Sequence, residues 1–187
     1  MVKSNKPAII VGRFQPLTKG HLKLILEAKR KGLEPVLCMI DTSKTDERKP
    51  WDSRFLLDLY AEPMKKLGFR IVLVKSADIV EIGKAIPGMG LQPAAPQMGW
   101  PAAPRIRAWF CGTDRYKDYA RMVDKYGAEA GLDPEFELVE IPRSDEDISA
   151  TKCREAIVSG DFATFSKLYI YPDKKVFELL KTNHMVK

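Results

Sequence analysis

The chain has 187 residues, 45% hydrophobic and 30% charged, with 31 Lys and Arg against 25 Asp and Glu for a net charge of +6. This length suits a single domain, 1–187, with a well-buried core, and the composition excludes a disordered or fibrous chain. The modest basic excess fits polyphosphate substrates, while no run of five or more basic residues supplies a nucleic-acid arm, and the apolar run near the N-terminus, Ala8 to Val11, is too short for a signal peptide or membrane span.

Residues 7–11 read as a first strand, near-continuously apolar and so buried on both faces. A glycine turn and a helix over 19–31 follow, with Thr18 as its N-cap, and then a strand over 35–40. A strand–helix–strand unit of this length implies a parallel pair. Residues 41–51 form a polar loop, which in an open parallel sheet falls on the ligand-binding side, beyond the carboxyl ends of the strands. A helix is expected over 52–67, stopped by Gly68, and a third strand over 69–74. A short helix over 77–86 precedes a stretch, 87–104, that is dense in Pro and Gly, lacks acidic and basic side chains until Arg105 and cannot be a regular helix or central strand. It reads either as a binding loop or as a surface insertion. The sheet pattern resumes over 106–111, ends at Gly112-Thr113-Asp114, and is followed by a helix over 118–126 and a fifth strand over 136–141. A helix running to about 158 and two short helices within 161–182, the second opened by Pro172, complete the chain.

Cys38, Cys111 and Cys153 are scattered, no Cys-x-x-Cys occurs, and His21 and His184 lie near opposite ends, so a zinc site is not expected and the thiols point to a reducing, cytoplasmic setting.

The chemistry-bearing stretch is Gly12-Arg13-Phe14-Gln15-Pro16-Leu17-Thr18-Lys19-Gly20-His21. A strand, a glycine turn and a helix start make a phosphate site, because the first helical N–H groups have no intrahelical partners and the dipole there favours an anion. Gly12 permits a tight turn, Gly20 keeps the helix start open, and Arg13, Lys19 and His21 add donors. The stretch is neither a Walker A loop nor a dinucleotide fingerprint. A second strand–helix junction, Ile148-Ser149-Ala150-Thr151-Lys152-Cys153-Arg154, offers hydroxyls and N–H groups with Arg154 one turn in.

Together these two stretches resemble the paired signatures of the nucleotidylyltransferase superfamily, whose members carry Thr/His-x-Gly-His at the first turn and Ile-Ser-x-Thr-x-x-Arg near the C-terminus. Arg48-Lys49-Pro50-Trp51 followed by Arg54 is similar to a loop of archaeal-type nicotinamide-nucleotide adenylyltransferases, although Ser53 stands where those have an acid. Thr18 replaces the first histidine, as in pantetheine-phosphate adenylyltransferases. The resemblance implies an α/β, Rossmann-like parallel five-stranded sheet with helices on both faces and a short helical C-terminal region. It implies transfer of AMP from ATP to nicotinamide mononucleotide, the alternatives being another acceptor (phosphopantetheine or flavin mononucleotide), CTP-dependent cytidylyl transfer, or a nucleotide sensor without turnover.

On that resemblance His21, Thr18 and Arg154 are the catalytic residues. Gly12, Arg13, Phe14, Gln15, Lys19, Gly20, Ile148, Ser149 and Thr151 bind ATP and its phosphates. Lys44, Arg48, Trp51, Trp100, Gly112 and Asp114 bind the acceptor. Thr18 and Asp114 are equally able simply to cap helices. Mg²⁺ accompanies ATP, held by phosphates rather than by protein side chains. The partners implied are ATP and a mononucleotide, with no nucleic acid and no membrane. A homo-oligomer stays open, since many members of the superfamily assemble and no stretch here names an interface.

Overall fold

The computed structural model of the chain describes residues 6–41, 45–86, 105–142 and 149–184. The expectations for the loop over 87–104 and for Lys44, Trp100 and Ile148 lie outside the described residues.

The architecture is an α/β, Rossmann-like fold around one parallel five-stranded sheet. In chain order the strands are β1 (Pro7–Gly12), β2 (Glu34–Ile40), β3 (Arg70–Val74), β4 (Ala108–Gly112) and β5 (Glu137–Ile141), and every paired neighbour in the order β3-β2-β1-β4-β5 is parallel. The helices are α1 (Lys19–Arg30), α2 (Ser53–Leu67), α3 (Ile79–Ala85), α4 (Thr113–Tyr126), α5 (Ala150–Ser159), α6 (Phe162–Leu168) and α7 (Lys174–Thr182).

The strands are apolar at consecutive positions because both faces of the sheet are covered. Ile10, Leu37, Met39 and Phe110 face one core, where they meet Ile25 of α1, Leu56 and Tyr60 of α2, Ile157 of α5, Phe165 of α6 and Leu180 of α7. Ile9, Val36, Cys38 and Trp109 face the other, against Ile79 and Ile82 of α3 and Tyr119 of α4. One residue of offset along a strand selects the face, the two-residue period of a pleated chain. All three cysteines are buried in these cores, and burial pushes the thiols up, Cys38 and Cys153 to about 12 and Cys111 to about 11, so they serve packing.

Sheet order reverses between β1 and β4. Chains leaving the carboxyl ends of those two strands diverge to opposite sides, which opens the crevice where doubly wound sheets take ligands. Gly12 and Gly112 are the last residues of those strands.

Most element edges agree with the sequence pattern within two residues. The exception is α4, which begins at Thr113 rather than 118, because Gly112 serves as its N-cap and the helix starts directly off the strand. Pro172 precedes α7 by two positions; Asp173 caps it, accepting from the N–H groups of Lys175 and Val176.

The turn after β1 departs from expectation in its glycine. Gly12 is extended, and the left-handed position is Phe14, with φ of 49°. A non-glycine residue there costs of order 1–3 kcal/mol. Gly12 is needed for closeness instead, since a Cβ at that position would lie 3.1 Å from the Phe14 ring. What holds Phe14 is Tyr60 on α2. Its buried hydroxyl donates to the Phe14 carbonyl at 2.6 Å and accepts from the Leu17 N–H at 3.0 Å, so one side chain clasps both ends of the turn. Burial pushes the phenol well above its ordinary value, which keeps it a donor. Tyr60→Phe leaves both backbone groups buried and unpaired, and an equilibrium denaturation series should show a loss of about 1–3 kcal/mol.

Candidate active site

A cleft of about 1130 Å³ opens at the reversal point. That volume is slightly above the usual range of about 300–1,000 Å³ for small-molecule sites. Its walls come from the end of β1 and the following turn (Gly12, Arg13, Phe14, Gln15), from α1 (His21), from the β2–α2 loop (Arg48), from β4 and α4 (Gly112, Asp114), and from α5 (Thr151, Arg154). A smaller cavity of about 260 Å³ shares His21 and Gly112 with it and is lined by Thr18, Gly20 and Ser149. The two stretches singled out in the sequence are therefore brought together, although they lie at opposite ends of the chain.

His21 is aimed by its own helix start. The Thr18 N–H donates to Nδ1 of His21 at 3.0 Å, and the Thr18 hydroxyl lies 3.0 Å from the same nitrogen. This is half of a reciprocal capping box, with Thr18 at N-cap and His21 at N3. Because a backbone N–H can only donate, Nδ1 is the acceptor, and the ring proton sits on Nε2. Phe14 packs edge-on to the ring, with centroids 5.0 Å apart at 79°. Thr18 is only 1% exposed, so its place is under the histidine rather than at the main cleft wall.

Arg154 joins the two stretches. Its Nη1 donates to the Gln15 carbonyl at 2.6 Å and its Nη2 to the Thr151 hydroxyl at 3.0 Å, one turn back on α5. Burial pulls its guanidinium below the ordinary value, opposed by the neighbouring Cys153, Glu155 and Asp46. It remains a cation, since arginine is not deprotonated in proteins. Ser149 caps α5, its hydroxyl accepting from the Thr151 N–H at 3.1 Å.

The β2–α2 loop closes on itself through Asp46. One carboxylate oxygen accepts from the N–H groups of Arg48 and Lys49 at 2.9 Å each, and the other pairs with Lys49 Nζ at 2.9 Å. The Lys49 side chain above all holds the Asp46 carboxyl below its ordinary value. The lysine is thereby engaged within the loop, and among the described residues Arg48 is the loop cation placed on the cleft wall.

Three residues have placements that sequence position did not convey. Lys19 turns away from the cleft, its Nζ donating to the Ser166 carbonyl at 3.1 Å on α6. Trp51 is core: it is 1% exposed, and its indole N–H donates to the Leu180 carbonyl at 2.9 Å. Gln15 spends its amide on that tryptophan, donating to the Trp51 carbonyl at 2.8 Å and accepting from its N–H at 3.2 Å. Trp51 is thus the buried post to which the turn after β1 is tied, and in this arrangement no ligand reaches its ring. The cleft also holds residues the sequence did not mark. Among these are Glu47 of the loop, Arg115 and Tyr119 of α4, and His184 just beyond α7. Each becomes a wall residue only through tertiary docking, although the 3.6-residue period from Arg115 to Tyr119 would have placed those two on one face once α4 was started at Thr113.

Residues 9–156 match the family model described as cytidylyltransferase-like. No curated protein matches the chain by sequence. Among solved structures the chain is similar to a bifunctional NMN adenylyltransferase/ADP ribose pyrophosphatase from Francisella tularensis, at 16% identity and a TM-score of 0.64, over 96% of this chain and 49% of that one. The same Francisella protein complexed with AMP and a manganese ion superposes with a TM-score of 0.59 at 16% identity, over 96% of this chain and 52% of that one. This chain therefore spans about half the length of that bifunctional protein. A nicotinic acid mononucleotide adenylyltransferase from Plasmodium falciparum complexed with NaAD superposes over 96% of each chain, with a TM-score of 0.59 and 13% identity. At such identities the superpositions establish the fold.

Proposed function

The chain belongs to the cytidylyltransferase-like family of nucleotidylyltransferases, and from that premise we propose that it transfers AMP from ATP to nicotinamide mononucleotide, giving NAD and pyrophosphate. The observation that carries this reading is the meeting of the Gly12–His21 turn and the α5 start in one cleft, joined by the 2.6 Å bond from Arg154 to Gln15. The nucleotides named for the neighbouring structures, AMP and NaAD, favour an adenylyl donor over a cytidylyl one.

In this reading an acceptor phosphate oxygen attacks the α-phosphorus of ATP in line, a new P–O–P bridge forms, and the bond to the β-phosphate breaks to release pyrophosphate. Such chemistry asks for positioning and for stabilisation of charge on phosphate oxygens. Nε2–H of His21 is the donor to the α-phosphate, fixed in its tautomer by Thr18. Arg154 and Thr151 hold the leaving half. Gly12 and Gly20 leave backbone room, Ser149 presents the α5 start, and Arg13 grips phosphates of either substrate. Arg48, Gly112 and Asp114 bound the acceptor side.

The cleft walls fit a divalent cation that arrives with the triphosphate. Among the described residues no cluster of three His, Cys, Asp or Glu forms a cage, and Arg48 and Arg154 suit a ligand that already carries its metal on phosphate oxygens. Mg²⁺ bound in that way would neutralise charge on the leaving pyrophosphate. No described helix is long and apolar enough to cross a membrane, and we place the enzyme in the cytoplasm, where its three buried free thiols stay reduced.

The test is a pyrophosphate-release assay with ATP and Mg²⁺ across nicotinamide mononucleotide, nicotinic acid mononucleotide, phosphopantetheine and flavin mononucleotide, repeated with CTP. Release that requires nicotinamide mononucleotide, with NAD formed, is the expected result. Release with another pair moves the substrate, and ATP binding without release from any pair makes the chain a sensor.

A further inference from the structure

His184 belongs to neither signature stretch, yet it stands in the same cleft as Arg154, Arg48 and Gln15. We propose that His184 is a further polyphosphate contact, a neutral N–H donor set beside Arg154 for the oxygens of the leaving pyrophosphate. The inference rests on the reading of this cleft as a nucleotidyl-transfer site.

Its position is determined by the core. The imidazole lies edge-on to Trp51, with ring centroids 5.5 Å apart at 83°. Trp51 is itself fixed on one side to the Leu180 carbonyl and on the other to the Gln15 amide. The His184 N–H closes the end of α7 on the Lys181 carbonyl at 3.3 Å. The tryptophan that anchors the phosphate turn therefore also sets where the His184 ring stands relative to that turn.

The ring's protonation follows from its surroundings. Nδ1 is buried and has no hydrogen-bond partner among the described residues. A bare lone pair there is less costly than a buried N–H with no acceptor, because a neutral ring needs only one proton and can carry it on the other nitrogen. The proton then sits on Nε2. Burial, and secondarily the charge of Arg154, hold the imidazole below its ordinary value, in the same direction. A second cation next to Arg154 would repel it, whereas a neutral N–H adds a donor without repulsion. This is the arrangement His21 achieves by a different route, with Thr18 occupying its Nδ1.

Inorganic pyrophosphate binding to the full chain, measured by calorimetry, tests the assignment. His184→Phe keeps the ring against Trp51 and removes the donor, and should weaken pyrophosphate about tenfold at an unchanged melting temperature. His184→Gln restores an N–H near the Nε2 position and should bring affinity back to within about threefold of wild type, a rescue that a purely structural role would not give. Affinity unchanged in His184→Phe, or equally reduced in both variants, overturns the proposal. Arg154→Ala separates the two levels of inference. Wild type that binds pyrophosphate and loses it on Arg154→Ala, with His184→Phe silent, refutes only the role of His184. Wild type that fails to bind pyrophosphate refutes the reading of the cleft, and this inference with it.

Discussion

Arg154→Ala is expected to reduce turnover by about 2–4 kcal/mol of transition-state stabilisation, the scale for losing one preorganised donor to developing charge. The loss should fall on kcat more than on the KM for the acceptor, because the proposed reaction assigns the guanidinium to the leaving half of the triphosphate. Its second bond, to the Gln15 carbonyl, adds a positional element. Without it the turn after β1 keeps its ties to Tyr60 and Trp51 but loses its link to α5. Arg154→Lys therefore discriminates. A lysine restores charge without the two-pronged geometry that reaches Gln15 and Thr151 together, and should recover only a minor part of the rate. A steady-state rate for Arg154→Ala equal to wild type would remove this residue from the chemistry.

Trp51→Ala carries the largest expected cost to stability. A large, almost fully buried ring is removed, for which core truncations cost about 3–5 kcal/mol. The indole N–H to Leu180 is lost as well. Gln15 bonds to the backbone of residue 51, so its partners survive chemically but sit beside a cavity. Urea titration with the denaturation slope held constant would measure the loss, and a change below about 1 kcal/mol would contradict the core placement. Trp51→Phe, which fills most of the volume and loses the N–H, should fall between the two.

The contrast between Trp51 and the signature stretches shows what a sequence conveys. The Gly12–His21 turn and the α5 start are local arrangements, with the strand, loop, cap and helix face written within some ten residues of one another. Their local geometry is legible because neighbours in sequence are neighbours in space. Trp51 has the same kind of local signal, an aromatic after a basic loop and a proline, but its surroundings arrive from Gln15 and Leu180, 36 and 129 positions away. Nothing nearby distinguishes a ring that meets a ligand from one that meets the core. Lys19 misleads in the same way, since Ser166, which takes its ammonium, is 147 positions distant. Phe14 is hidden for another reason. Left-handed backbone is ordinarily granted to glycine, so the strained position is read onto Gly12, and only the clasp from Tyr60 shows why a phenylalanine can hold it. The fold class was easier. Apolar runs alternating with amphipathic helices pointed to a parallel pair, the family resemblance implied the five-stranded sheet, and strand order, with its reversal between β1 and β4, awaited the structure.

The tie between Trp51 and Leu180 also bears on the order of events during synthesis. The turn after β1 is synthesised well before the carbonyl that holds its post, which belongs to the last described helix. Contacts of such sequence separation form late, after the loop they close has been drawn in. A nascent chain that already displays β1, β2 and both helices around them would still present Trp51 without its final partner. A ligand of that turn should then gain no firm hold until translation has passed α7, so that chains broken off earlier would present the turn without its finished support.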